Sequence, residues 1–157
     1  MTFKEFLEGP IKQQNKIIGK KFKYHAFALD AMSIEFIGKI ARCKDKTQFR
    51  KRGNEKEDFL NAIGNYFPFE YKEHKNTLYS DLQCGMAHFF GPNSKILLAA
   101  KSGKKSEKNL DISQAGKLLL IFEDFHEDLC SAIDQLISEK SSLLNENFLN
   151  TREKFKK

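Results

Sequence analysis

Of the four histidines in this chain, His88 stands where a proton-transfer group could act. It closes the run Leu78-Tyr79-Ser80-Asp81-Leu82-Gln83-Cys84-Gly85-Met86-Ala87-His88, just ahead of Gly91-Pro92. An imidazole titrates near neutrality, so it can take up and return a proton at a reacting group. Gln83 can donate hydrogen bonds to a phosphate oxygen but carries no charge. In an ideal helix, positions five apart differ by about 140° in azimuth, so Gln83 and His88 converge only at a helix end or across a groove between two molecules. Cys84 stands i,i+4 from His88, the spacing of a thiolate–imidazole pair. A small buried residue beside an unrelated histidine fits the same pattern. Asp81 shares the face of His88 but lies two turns away, too far for a direct pair. His25, His74 and His126 share no metal-ligand spacing with one another or with Cys43, Cys84 and Cys130, and no metal or other cofactor is expected. Lys101-Ser102-Gly103-Lys104 lacks the glycine spacing of a phosphate-binding loop.

The 78–88 run resembles the motif of the HEPN superfamily of small helical-bundle proteins. Its members carry an arginine, four to six intervening residues and a histidine near the end of the third core helix. Gln83 occupies the arginine position, Cys84 to Ala87 form the spacer, and His88 is the histidine. Residues 28–39 and 59–71 are similar to the helices that precede the motif in such proteins, and the resemblance covers roughly residues 22–92. It implies metal-independent RNA cleavage, in which the histidine moves the proton of a 2′-hydroxyl and the arginine steadies charge on the phosphate oxygens. It also implies a homodimer that pairs two motifs, and a setting in toxin–antitoxin or antiviral defence systems. Gln83 departs from the pattern by lacking the guanidinium, and Cys84 stands where a polar residue is usual. The expected function is therefore an RNA-associated binding or regulatory protein with a degenerate ribonuclease motif. Two alternatives stay open: an active endoribonuclease using His88 with Gln83 aiding phosphate binding, and a protein-interaction module using an apolar bundle face.

Four helices would position the motif. Residues 17–40 read as one long helix with Ile18, Phe22, Leu29, Met32 and Phe36 on one stripe, widened by Ala26, Phe27, Ala28, Ala31, Ile34 and Ile37. A helix apolar on most sides is central in its bundle. His25 falls on that stripe and is expected in the core, and Ala28 and Ala31 would admit a close neighbour. A second helix starts after Asn54, an N-cap with Glu57 at the third helical position, and stops at Pro68. A third runs over 75–90 with Leu78, Leu82 and Met86 inward, ended by Gly91-Pro92. Residues 94–100 and 109–112, flanking a Gly103 turn, read as a β-hairpin. The last helix carries Leu118, Phe122, Phe125, Leu129, Ala132, Ile133, Leu136 and Ile137. Its other side, with Glu123, Asp124, Glu127, Asp128, Asp134 and Glu139, would repel nucleic acid. The expected fold is mainly α: an up-and-down four-helix bundle with a small β-hairpin before the last helix. One domain spans 1–142, and 143–157 form a basic tail, helical or disordered.

The composition sets outer limits. A chain of 157 residues, 40% apolar and with 15 Phe, suits one domain with one core. Its net charge of +6 favours polyanions. Residues 39–56 alone hold eight Lys or Arg against two acids. Arg42, Lys46, Arg50, Lys51 and Arg52 are the expected nucleic-acid contacts, and a solvated connection is the plainer alternative. Three widely spaced cysteines without a CxxC pair favour a reducing compartment. No secretory pattern opens the chain and no apolar run reaches membrane-spanning length, so a cytoplasmic location without membrane contact is expected. RNA, a second copy and a protein partner are the candidate partners.

Overall fold

The computed structural model describes residues 2–49, 53–89, 91–101 and 108–144. It is mainly helical, with one small two-stranded sheet. The chain opens with α1 (Phe3–Phe6), capped reciprocally: Glu5 N–H donates to Thr2 Oγ1 at 3.1 Å, and Thr2 N–H donates to Glu5 Oε2 at 2.8 Å. A π-helical stretch, Leu7–Gln14, follows and contains Pro10, which has no N–H to give a regular ladder. Phe3, Leu7 and Ile11 repeat at i,i+4 and are buried.

The helix expected over 17–40 is two helices. α2 (Asn15–Lys21) and α3 (Lys23–Arg42) meet at Phe22, whose φ of −132° and ψ of 64° lie outside the helical region. In one straight helix Asn15 and Asp30 would stand about 22 Å apart along the axis. The break folds α2 back on α3 so that Asn15 Nδ2 donates to Asp30 Oδ1 at 2.9 Å, with both residues buried.

α3 is central, as its apolar breadth implies, packing on α2, on α5 (Glu55–Tyr66), on α8 (Phe122–Glu139) and on the motif helix. Its buried face is Ala26, Phe27, Asp30, Ala31, Ser33, Ile34, Ile37, Gly38 and Ile40. The stripe expected to lead the core lies elsewhere: Phe22 is 58% and Met32 47% exposed, Ile18, Leu29 and Phe36 are half-buried, and His25 is exposed. The residue that admits a close neighbour is Gly38. A Cβ there would fall 1.7 Å from the carbonyl oxygen of Asp58, so α3 and α5 meet backbone to backbone.

Between them lies α4 (Lys46–Phe49). Asn54 caps α5 through its side chain on Glu57 N–H, and the helix ends before Pro68, as expected. The third helical unit begins earlier than its apolar pattern suggests. It comprises α6 (Glu70–Thr77), a π-helical stretch (Leu78–Gln83) and α7 (Cys84–Phe89).

The hairpin is not formed as expected. β1 (Ile96–Ala99) pairs in parallel with β2 (Leu118–Ile121), Ile96 facing Leu118 and Ala99 facing Ile121. The 109–112 segment contributes one antiparallel bridge, Ile112 to Leu118. β2 is buried throughout, and so is an unbroken apolar run, which also fits a helical pattern at this length. α8 therefore starts at Phe122, four residues later than its periodicity suggests, and α9 (Ser141–Leu144) follows it. The tail beyond 144 lies outside the described residues. No helix among the described residues is long and apolar enough to cross a membrane.

Candidate functional site

The motif helix is fixed by its own loop. Asn93 N–H donates to the carbonyl of Asp81 at 2.9 Å, and Lys95 N–H donates to Asp81 Oδ1 at 3.3 Å. Ser80 Oγ donates to Asp81 Oδ2 at 2.6 Å, so this buried carboxylate anchors the turn after the helix. Gly85, in the motif spacer, is where that turn lies against the helix: a Cβ would meet the Gly91 carbonyl oxygen at 2.7 Å.

Within this frame the two motif residues have different environments. His88 is exposed in the last turn of α7. Gln83 is 7% exposed, and its Nε2 donates to Glu35 Oε2 of α3 at 3.0 Å. Its Oε1 has no hydrogen-bond partner among the described residues. Burial raises the Glu35 pKa, with the charges of Glu55 and Asp58 adding to it and the Gln83 hydrogen bond opposing it. Cys84 is half-buried and hydrogen-bonds the Tyr79 hydroxyl. Burial and the neighbouring Cys84, Glu35 and Glu55 push the Tyr79 pKa up.

The basic connection is only partly described. Arg50, Lys51 and Arg52 lie outside the described residues, as does the side chain of Lys46. Arg42 is engaged in the fold: Nε and Nη2 meet the two carboxylate oxygens of buried Asp58 at 2.8 and 3.1 Å. This forked pair joins the end of α3 to the first turns of α5.

A second constellation escaped the sequence reading. His126 on α8 is buried, with Nδ1 3.0 Å from Asp30 Oδ2 and Nε2 3.1 Å from the Lys12 carbonyl oxygen. The ring stacks on Phe122, centroids 5.5 Å apart. Cys130, one turn on, places Sγ 3.6 Å from Nε2. The Lys12 carbonyl can only accept, so Nε2 carries a proton. Burial alone would lower the His126 pKa, but hydrogen bonds to Asp30 and Cys130 and the charge of Asp30 raise it to about 10. Asp30 is fully buried, which favours its neutral form. Donors from His126 and Asn15 oppose that, and with acceptors on both ring nitrogens the pair is read as an ion pair. Two signals were present in the sequence. His126 and Cys130 share the i,i+4 spacing noted at Cys84 and His88, and Asp30 is the only Asp, Glu, Lys or Arg between Lys23 and Glu35.

Two kinds of hollow flank α2. One, of about 650 Å³, lies between Lys16, Lys20 and Lys23 on one side and His126, Glu127 and Cys130 on the other. The second is apolar, about 570 Å³, lined by Ile18, Phe22, Leu29 and Met32 and closed by Met86 and Ala87 beside His88. A further hollow of about 490 Å³ continues it past Ile18, Leu29 and Met32 to Phe6 and Phe36. The stripe expected in the core therefore lines an open apolar face. Among the described residues no group of three or more His, Cys, Asp or Glu could hold a metal ion.

Comparison with protein-family models, with curated proteins and with solved structures found no match to this chain.

Proposed function

We propose that this chain is an RNA-associated binding or regulatory protein of HEPN-like type whose ribonuclease motif is degenerate. The helical units α3, α5, α6–α7 and α8 would form its up-and-down bundle. The observation that carries this reading is the fate of Gln83. The position that would supply a cation to the phosphate holds a buried neutral amide whose N–H is directed at Glu35, while His88 stays exposed. A lone imidazole can move a proton but does not offset the charge that grows on the phosphate oxygens, a loss of about 10²-fold or more in rate. Affinity would then come from the basic surface, with a net charge of +6.

A different observation favours a protein-interaction module. Exposed Phe22 and Met32 continue into the apolar hollow beside Met86 and Ala87. Contiguous apolar surface of this kind marks association sites. A homodimer through this face would set both His88 side chains at the rim of the interface.

Labelled single-stranded RNA, titrated at low and at high salt, separates these readings. Expected are salt-weakened binding and no cleavage in EDTA at high protein concentration. Cleavage that His88→Ala abolishes would establish the enzyme instead. Absence of RNA affinity at low salt, with salt-independent self-association that Met32→Lys breaks, would select the interaction module.

A further inference from the structure

We propose that Cys130 is a reactive thiol that undergoes exchange with small anionic disulfides in the hollow between α2 and α8. This site is separate from the His88 motif and does not depend on the RNA reading.

The alignment of donors and acceptors carries the argument. In either protonation state of the Asp30–His126 pair, Nε2 holds a hydrogen, because the Lys12 carbonyl 3.1 Å away can only accept. The sulfur at 3.6 Å therefore faces an N–H donor and is placed as an acceptor. A thiolate is the stronger acceptor, and the hydrogen bond becomes charge-assisted when it forms. The ring has no vacant nitrogen on that side to take the thiol proton, which leaves to water. His126 is thus a positioning residue and not a general base. Asp30, held by Asn15 at 2.9 Å, fixes the ring from behind, and Phe122 fixes its plane.

Access and charge supply the rest. Cys130 is half-buried and borders the hollow of about 650 Å³. Across it, Lys16 and Lys20 stand i,i+4 on α2, both exposed. Lys23 is paired with Glu123, and Glu127 is the remaining acid on the wall. Lysines and the imidazolium together outnumber the acids, so a disulfide bearing carboxylates is preferred over a neutral one. In the exchange the Cys130 thiolate attacks one sulfur of the disulfide. A Cys130–sulfur bond forms, the original sulfur–sulfur bond breaks, and the departing thiolate takes a proton from water. The disulfide is itself the oxidant.

The test uses the full chain, reduced and then exposed to glutathione disulfide, with the modified cysteine mapped by mass spectrometry. Cys130 is expected to react first, ahead of half-buried Cys84 and well ahead of Cys43, which is 1% exposed and reports on the fold. Lys16→Glu with Lys20→Glu should slow the reaction about tenfold and leave the rate with neutral 2-hydroxyethyl disulfide unchanged. His126→Gln should slow both disulfides alike while Cys43 stays protected. Reaction at Cys84 as fast as at Cys130 would overturn the proposal. So would equal slowing of both disulfides by the lysine changes, or an unaltered Cys130 rate in a folded His126→Gln protein. If His126→Gln exposes Cys43, the exposed lysine pair still decides the outcome.

Discussion

Glu35 illustrates how a single side chain reports on the motif beside it. Burial and the nearby Glu55 and Asp58 raise its pKa in the folded chain above the ordinary 4.5, so folding favours its protonated form. Its favourable contribution is complete below the ordinary carboxylate range and is lost as pH rises through the raised value. Glu35→Gln should therefore raise the melting temperature at pH 7, and the gain should vanish by about pH 4. An equal gain at both pH values would mean that ionisation is not the cause. Arg42 gives a prediction of opposite sign. Its forked bond neutralises the Asp58 carboxylate, which is 2% exposed, while Arg42 itself remains 39% exposed. Arg42→Met should cost about 2 kcal/mol or more in urea denaturation, by leaving a buried carboxylate alone. A loss within experimental error would mean that Asp58 is satisfied otherwise. Neither pairing was legible in the chain. Gln83 and Glu35 lie 48 residues apart, and the sequence supplies donor and acceptor types without the approach that joins them.

Elements were legible where their ends are set by local chemistry. Asn54 and Pro68 bound α5, and Gly91-Pro92 follows the motif helix, because capping and the missing proline N–H act within a few residues. The break at Phe22 has no such local signal, since its stabilisation comes from Asn15 meeting Asp30 after the turn. β2 was misplaced for a related reason. Four apolar residues suit a strand or a helix, and the parallel partner β1 lies across a long connection. The tightest junction between elements is Gly38 on the Asp58 backbone. Gly38→Ala improves helix propensity, yet its Cβ would sit 1.7 Å from a carbonyl oxygen held in α5. The two helices must part, at a cost of about 3 kcal/mol, whereas Ala at the open Gly64 position of α5 should be neutral or better. Comparable urea midpoints for the two variants would sink this account of the α3–α5 contact.

Across the whole molecule, the polar residues in the core hold the N-terminal third against α8. Lys12, Asn15, Asp30 and His126 form one chain of hydrogen bonds through the π-helical stretch, α2, α3 and α8. Hydrophobic periodicity identifies α3 and α8 as packed elements, but it scores Asp30 and His126 as interruptions. That is why the clamp was missed while the apolar stripe, now at the surface, was assigned to the core. The clamp makes stability depend on pH in a defined window. The His126 pKa rises from 6.5 to about 10 on folding, so its contribution is fully present below 6.5 and is lost as pH passes about 10. The desolvation of Asp30, which is fully buried, offsets part of it. Urea denaturation between pH 6 and pH 10 should show the parent losing about 2–4 kcal/mol more than His126→Gln over that range. Taking the difference removes the tyrosines, lysines and cysteines that titrate in both proteins. Parallel stability curves would show that His126 keeps one protonation state in the folded and unfolded chain, and the ion pair assigned to it with Asp30 would be wrong.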